Sequence, residues 1–145
     1  MIVIADTSGT LAAFDTAHPL SDTAYSVLET AGLTVFSPLV LAELDHVGRR
    51  ELGAARTRQM LEDIVAAAAR GDFAIATTGA GVLQRAHRVQ ERYESLALDL
   101  ADAVNVALAE EYETDAVLTL DRRDFRAVLP LTGHKAFRVL PDDLR

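Results

Sequence analysis

The chain has 145 residues, is half apolar and carries a formal net charge of −8, which suits one domain with a core of its own over residues 1–145. It contains no cysteine, and His18, His46, His87 and His134 lack the close spacing of a metal pair, so disulfides and the usual zinc sites are excluded. No signal peptide or apolar span of about 20 residues is visible, which leaves a cytoplasmic protein without membrane association as the expectation, and the acidity argues against nucleic-acid binding through a broad basic face.

Charge can nevertheless be local. Carboxylates that converge on a divalent cation reverse the potential around them, so an acidic total does not exclude an anionic substrate. Lys135 is the one lysine among fourteen basic residues, and the remaining arginines suit bidentate contact with phosphate or carboxylate.

In chain order, Ile2–Ala5 reads as a strand buried on both faces, followed by a helix over Thr7–Asp15 and another over Asp22–Ala31, with Ser21 as N-cap. A strand at Leu33–Ser37 precedes helices over Leu39–Leu52 and Ala54–Arg70; Gly32 and Gly71 read as the glycines that close helices. Strands at Phe73–Ala76, Ala116–Leu120 and Ala136–Leu140 alternate with helices over Gly79–Tyr93, Leu100–Glu111 and a short one near Arg122–Val128. This alternation predicts an α/β fold with a parallel sheet covered on both faces, whose ligands gather at the carboxyl ends of the strands.

Two of those strands end on an acid. Asp6 follows the first and Asp121 the fourth, in AVLTLDRRDF, so each either caps the next helix or joins the other at one edge of the sheet; for Asp121, Asp124 would complete a capping arrangement. Glu43 lies among Leu39, Val40 and Val47 at helical spacing and is expected to point partly inward, satisfied by a cation, a donor or an arginine. Asp102 occupies a similar place in LALDLADAVNVALAEEY. Asp99 begins that helix and reads as its cap. Asn105, one turn on, is either a surface amide or support for a water at a metal. Thr7, Ser8 and Thr119 could hydrogen-bond the acids or simply satisfy backbone groups.

The residue types narrow the chemistry. With no cysteine, no paired histidines and a single lysine, a nucleophile and base of the usual hydrolase kind is hard to assemble. Clustered carboxylates suit Mg²⁺ or Mn²⁺, and such ions assist hydrolysis of phosphodiesters.

At IADTS, SPLVLAELD, DLADAVNVALAEEY and VLTLDRRDF, taken in this order, the sequence resembles the PIN-domain ribonucleases, and more narrowly the VapC toxins of bacterial toxin–antitoxin pairs. The resemblance implies a three-layer α/β/α sandwich around a parallel sheet of four to five strands, often in a homodimer. It implies a Mg²⁺-dependent endoribonuclease, with Mn²⁺ able to substitute, acting on an RNA such as tRNA or rRNA and neutralised by a cognate VapB antitoxin. Position by position, Asp6, Glu43, Asp102 and Asp121 match the family's catalytic and metal-binding quartet, with Asp6, Glu43 and Asp102 expected to hold the principal ion. Asp99 and Asp124 are assigned to capping or support. Arg49, Arg50, Arg122 and Arg123 are solvated surface or phosphate guides, and residues Val47 to Ile64 are the expected antitoxin contact. Two rivals stand beside this reading: a PIN fold serving only as a binding platform, and a haloacid-dehalogenase-type phosphatase suggested by DTSGTL, in which Ser8 replaces the second acid.

Overall fold

A computed structural model of the chain describes residues 1–144. Five parallel strands, β1 (Ile2–Ala5), β2 (Leu33–Phe36), β3 (Phe73–Ile75), β4 (Ala116–Leu118) and β5 (Arg138–Leu140), form one sheet in the order β3-β2-β1-β4-β5. The helices are α1 (Thr7–Phe14), α2 (Ser21–Thr30), α3 (Pro38–Glu51), α4 (Ala54–Arg70), α5 (Ala80–Arg92), α6 (Leu100–Glu111) and α7 (Arg122–Ala127). Successive strands step outward from β1 to β3, then the chain returns to the other side of β1 for β4 and β5. The reversal leaves a crevice outside the carboxyl ends of β1 and β4, where open α/β sheets bind ligands.

Alternation along the strands sends side chains to both faces, and both are buried. Ile4, Val35, Val117 and Val139 pack with α5, α6, Phe125 and Phe137. Val3, Leu118 and Leu140 pack with α1 and α2, while Ala5 and Phe36 pack with α3 and α4. On the inner strands β1 and β4 neither face meets water, so they carry continuous apolar runs rather than alternating ones. Each fully buried Val, Leu or Phe contributes about 1.5–3 kcal/mol, so the two-sided core holds the strand ends in fixed register.

The expected three-layer α/β/α architecture is therefore the observed one, with five strands. The first strand keeps its expected limits and the other four shrink by one or two residues: Ser37, Ala76, Thr119 and Leu120, and Ala136 and Phe137, lie outside the ladders. Two local expectations are corrected. Ser21 is the first residue inside α2 and does not cap it; its hydroxyl donates to the Ala13 carbonyl at 3.2 Å. Gly32 is no left-handed cap, because α2 ends at Ala31 in extended backbone and the Gly32 N–H donates to the Met1 carbonyl at 2.8 Å. Gly71 does close α4 in the left-handed conformation, at φ 88°.

Candidate active site

The Asp6 N–H donates to the Leu118 carbonyl at 2.9 Å, which carries the β1–β4 pairing one residue beyond the strand. Asp6 stands at the N-cap position of α1 but its side chain caps nothing. Instead Oδ2 accepts from Thr119 Oγ1 at 2.7 Å and Oδ1 from Asn105 Nδ2 at 3.3 Å. The capping reading of Asp6 is thus replaced by a carboxylate held between β4 and α6, only 4% exposed. Burial pushes its pKa up to about 6, against the lowering hydrogen bonds from Thr119 and the Thr7 backbone; the charges of Glu43 and Asp121 raise it further.

One hydroxyl ties two acids together. Thr119 gives its single proton to Asp6, so its oxygen is left to accept, from the Asp121 N–H at 3.0 Å and from the Ser8 hydroxyl at 3.2 Å. Ser8 Oγ in turn accepts from the Leu120 N–H at 2.9 Å. The start of α1 is fastened to the end of β4, and Asp6 and Asp121 move as one unit.

Glu43 comes from the middle of α3 and is half-buried, where Thr7 Oγ1 donates to its Oε1 at 2.8 Å. A hydroxyl, rather than the arginine considered from the sequence, is its partner. Asp99 caps α6 as expected, its Oδ1 accepting from the Asp102 N–H at 2.9 Å. Asp102 therefore lies in the first turn of α6, where the helix dipole favours an ionised acid. Burial and the charges of Asp6, Asp99, Asp121 and Asp124 outweigh that dipole, and its pKa rises to about 8. Asp121 caps α7 through Asp124 N–H at 3.2 Å, so capping and membership of the acidic group coexist in one side chain.

Asp6, Glu43, Asp99, Asp102 and Asp121 all line one cleft of ≈ 400 Å³ at the crevice between β1 and β4, with His18 on its wall. No Lys or Arg lines it among the described residues. The tightest grouping is Asp102, Asp121 and Asp124, whose carboxylate oxygens lie within 4.8 Å of one another. Asp124 is thus closer to the acids than its assignment to capping suggested, and its pKa is also raised, by burial and by Asp121. The signal was the i, i+3 spacing of Asp121 and Asp124, which puts both on one side of a short helix. Of the four arginines considered as phosphate guides, Arg49 pairs with Asp45 at 3.1 Å and Arg122 with Asp142 at 3.6 Å, while Arg50 and Arg123 stand exposed.

The raised acids set a sign for stability. Native Asp6 and Asp102 hold protons at pH values where the unfolded chain, with carboxyls near 3.8, does not. Stability of the metal-free protein must then fall as pH rises between those limits, by at most about 1.4 kcal/mol per unit and group. Thermal melts in EDTA are expected to give a melting temperature roughly 5 °C higher at pH 5.5 than at pH 8.5; a higher value at pH 8.5 would contradict the assignment.

The donor set fits a hard divalent cation. It is all oxygen, the acids repel one another, no Lys or Arg lines the cleft among the described residues, and Asp124 Oδ1 is buried without a hydrogen-bond partner among them. The PIN domain family model matches residues 3–128. Ribonuclease VapC26 of Mycobacterium tuberculosis is 36% identical over 140 residues, which cover 96% of this chain and all of that protein. The chain belongs to the PIN-domain family of VapC ribonucleases. In three dimensions it is similar to the crystal structure of VapC20 from Mycobacterium tuberculosis, a toxin that cleaves the sarcin–ricin loop, with TM-score 0.70 at 18% identity, over 83% of this chain and 91% of that one. The family drawn from the four sequence motifs and the PIN-like sandwich are thereby both confirmed. No helix of the described residues is long and apolar enough to cross a membrane.

Proposed function

We propose that this VapC protein is the toxin of a toxin–antitoxin pair, a cytoplasmic Mg²⁺-dependent endoribonuclease that cuts a tRNA or rRNA and is held inactive by a VapB antitoxin. The observation that carries this reading is the convergence of carboxylates from α3, α6 and the ends of β1 and β4 on one cleft that no Lys or Arg lines among the described residues. Asp6, Glu43 and Asp102 would hold the principal ion, with Asp121 completing the set and Asp124, which lies close to Asp102 and Asp121, beside it. A divalent cation so placed supplies Lewis-acid stabilisation of a phosphodiester under attack.

The chain's own residues do the rest. Thr7 fixes the rotation of Glu43, and Thr119 fixes Asp6 relative to Asp121, so the acids present a preorganised set instead of gathering on binding. His18 accepts the Leu20 N–H at Nδ1, 3.0 Å away, so the neutral ring carries its proton on Nε2 and can donate it to a substrate oxygen at the cleft wall. The phosphatase alternative loses ground at Ser8, whose hydroxyl stands where that family's second acid would be and is engaged with Leu120 and Thr119.

For the antitoxin, the expected segment Val47 to Ile64 borders a groove of ≈ 580 Å³ between α3 and α4. Leu61, Val65 and Ala69 line it beside two arginines, Arg49 and Arg58, and two acids, Asp45 and Glu62. That combination suits an amphipathic segment of mixed charge. Family resemblance also supports a homodimer.

The deciding experiment is incubation of purified, antitoxin-free protein with total bacterial RNA and Mg²⁺ or Mn²⁺, with the new ends sequenced. Discrete cuts that disappear in EDTA are expected. A folded protein that leaves every RNA intact and binds neither ion would instead be a PIN-fold binding platform.

A further inference from the structure

Eight residues of α6 are buried, and seven of them are Ala, Val or Leu; the eighth is Asn105, with no exposed surface. A side-chain amide in such a helix is costly unless both ends find partners. Asn105 satisfies only one. Its Nδ2 donates to Asp6 Oδ1, while its Oδ1 has no hydrogen-bond partner among the described residues. Packing alone would favour leucine, which branches at the same carbon, is larger only by its methyl groups and has nothing to satisfy.

The arrangement makes sense at the other end of the bond. Thr119 holds Asp6 at Oδ2 and the Thr7 N–H adds a backbone hydrogen bond to the same carboxylate, but neither donor comes from α6. The Asn105 amide adds that tie at Oδ1. Because Asn105 lies one turn beyond Asp102 on the same helix, the bond also sets the distance between the β1 acid and the α6 acid. Without it, no side-chain hydrogen bond among the described residues would join α6 to Asp6, since Asp102 itself accepts none and repels Asp6.

We propose that Asn105 is a positioning residue: its amide clamps the Asp6 carboxylate in the orientation that receives the divalent cation. It does not touch the RNA or the reacting atoms. The inference rests on the reading of the acidic cleft as a cation site, and Mn²⁺ titration calorimetry on antitoxin-free protein separates the two. If wild type binds no Mn²⁺, the cation reading itself is wrong. If wild type binds, Asn105→Leu is expected to bind 10- to 100-fold more weakly, with a melting temperature in EDTA no lower than wild type. RNA cleavage by the variant should then recover as Mn²⁺ is raised, with KM for RNA unchanged, because only cation capture has been impaired. Equal Mn²⁺ affinity in the variant would overturn the proposal. Should the leucine variant fail to fold, the wild type supplies the answer by NMR: the Asn105 side-chain amide should shift along the same Mg²⁺ titration curve as the Asp6 backbone amide, and an Asn105 amide unmoved at saturation would refute the clamp.

Discussion

Asp102→Asn is expected to lower RNA cleavage by on the order of 10³-fold while raising the melting temperature of the metal-free protein. The two effects have one cause. Asp102 is crowded by burial and by four neighbouring acids, which push its pKa to about 8. Near pH 8.5 the folded protein must carry that charge unpaired, whereas in the unfolded chain it is solvated. An amide of the same shape removes the repulsion and should return about 1–2 kcal/mol, or roughly 3–6 °C for a chain of this size. The same amide is a neutral and weaker ligand for a hard cation, so the gain reverses once Mg²⁺ is added: wild type should be stabilised by the ion and the variant hardly at all. Melts with and without Mg²⁺, beside a cleavage assay, read all three quantities. An inactive variant that is also less stable without metal would show Asp102 to be a structural residue, and activity within tenfold of wild type would remove it from the site.

This opposition between stability and function explains why the acids were legible in the sequence. Asp6 and Asp121 end apolar runs, and Glu43 and Asp102 interrupt apolar faces, so each breaks the pattern that the surrounding fold obeys. What the pattern could not show is which groups hold them. Thr119 and Asp6 are 113 positions apart, and Asn105 and Asp6 are 99 apart. Contacts of that kind depend on sheet order, which alternating strands and helices leave undetermined; the β1–β4 adjacency that brings them together follows from the reversal of strand order. Asn105 read equally well as a surface amide until α6 was found to be enclosed on nearly every side. Ser21 was misplaced for a related reason: a serine before an acidic helix start resembles a cap locally, but a carbonyl of α1 claimed its hydroxyl.

The glycine of the opening DTSG stretch is expected to be as intolerant as the acids, through the backbone. A Cβ built on Gly9 lies 2.5 Å from the Leu118 carbonyl oxygen and 2.6 Å from its carbon. Both are main-chain atoms of the interior strand β4, which cannot yield as a side-chain tip would. Alanine is the better helix former by about 1 kcal/mol, so propensity alone predicts that Gly9→Ala in α1 stabilises. The clash reverses that sign: forcing α1 away from β4 costs about 2–4 kcal/mol, and the net loss should appear as a fall in melting temperature of roughly 4–8 °C. Function suffers separately, because Ser8 is bound to Thr119 and Leu120 across that same contact. Moving α1 outward pulls Asp6 away from Thr119 and loosens its tie to Asp121, so cleavage should drop by more than the unfolded fraction explains. Measuring activity per folded molecule, well below the variant's melting temperature, tests this directly. A Gly9→Ala protein with unchanged melting temperature and full activity would show that α1 can shift without disturbing the acids, and that the hydroxyl chain from Ser8 through Thr119 does not set their positions.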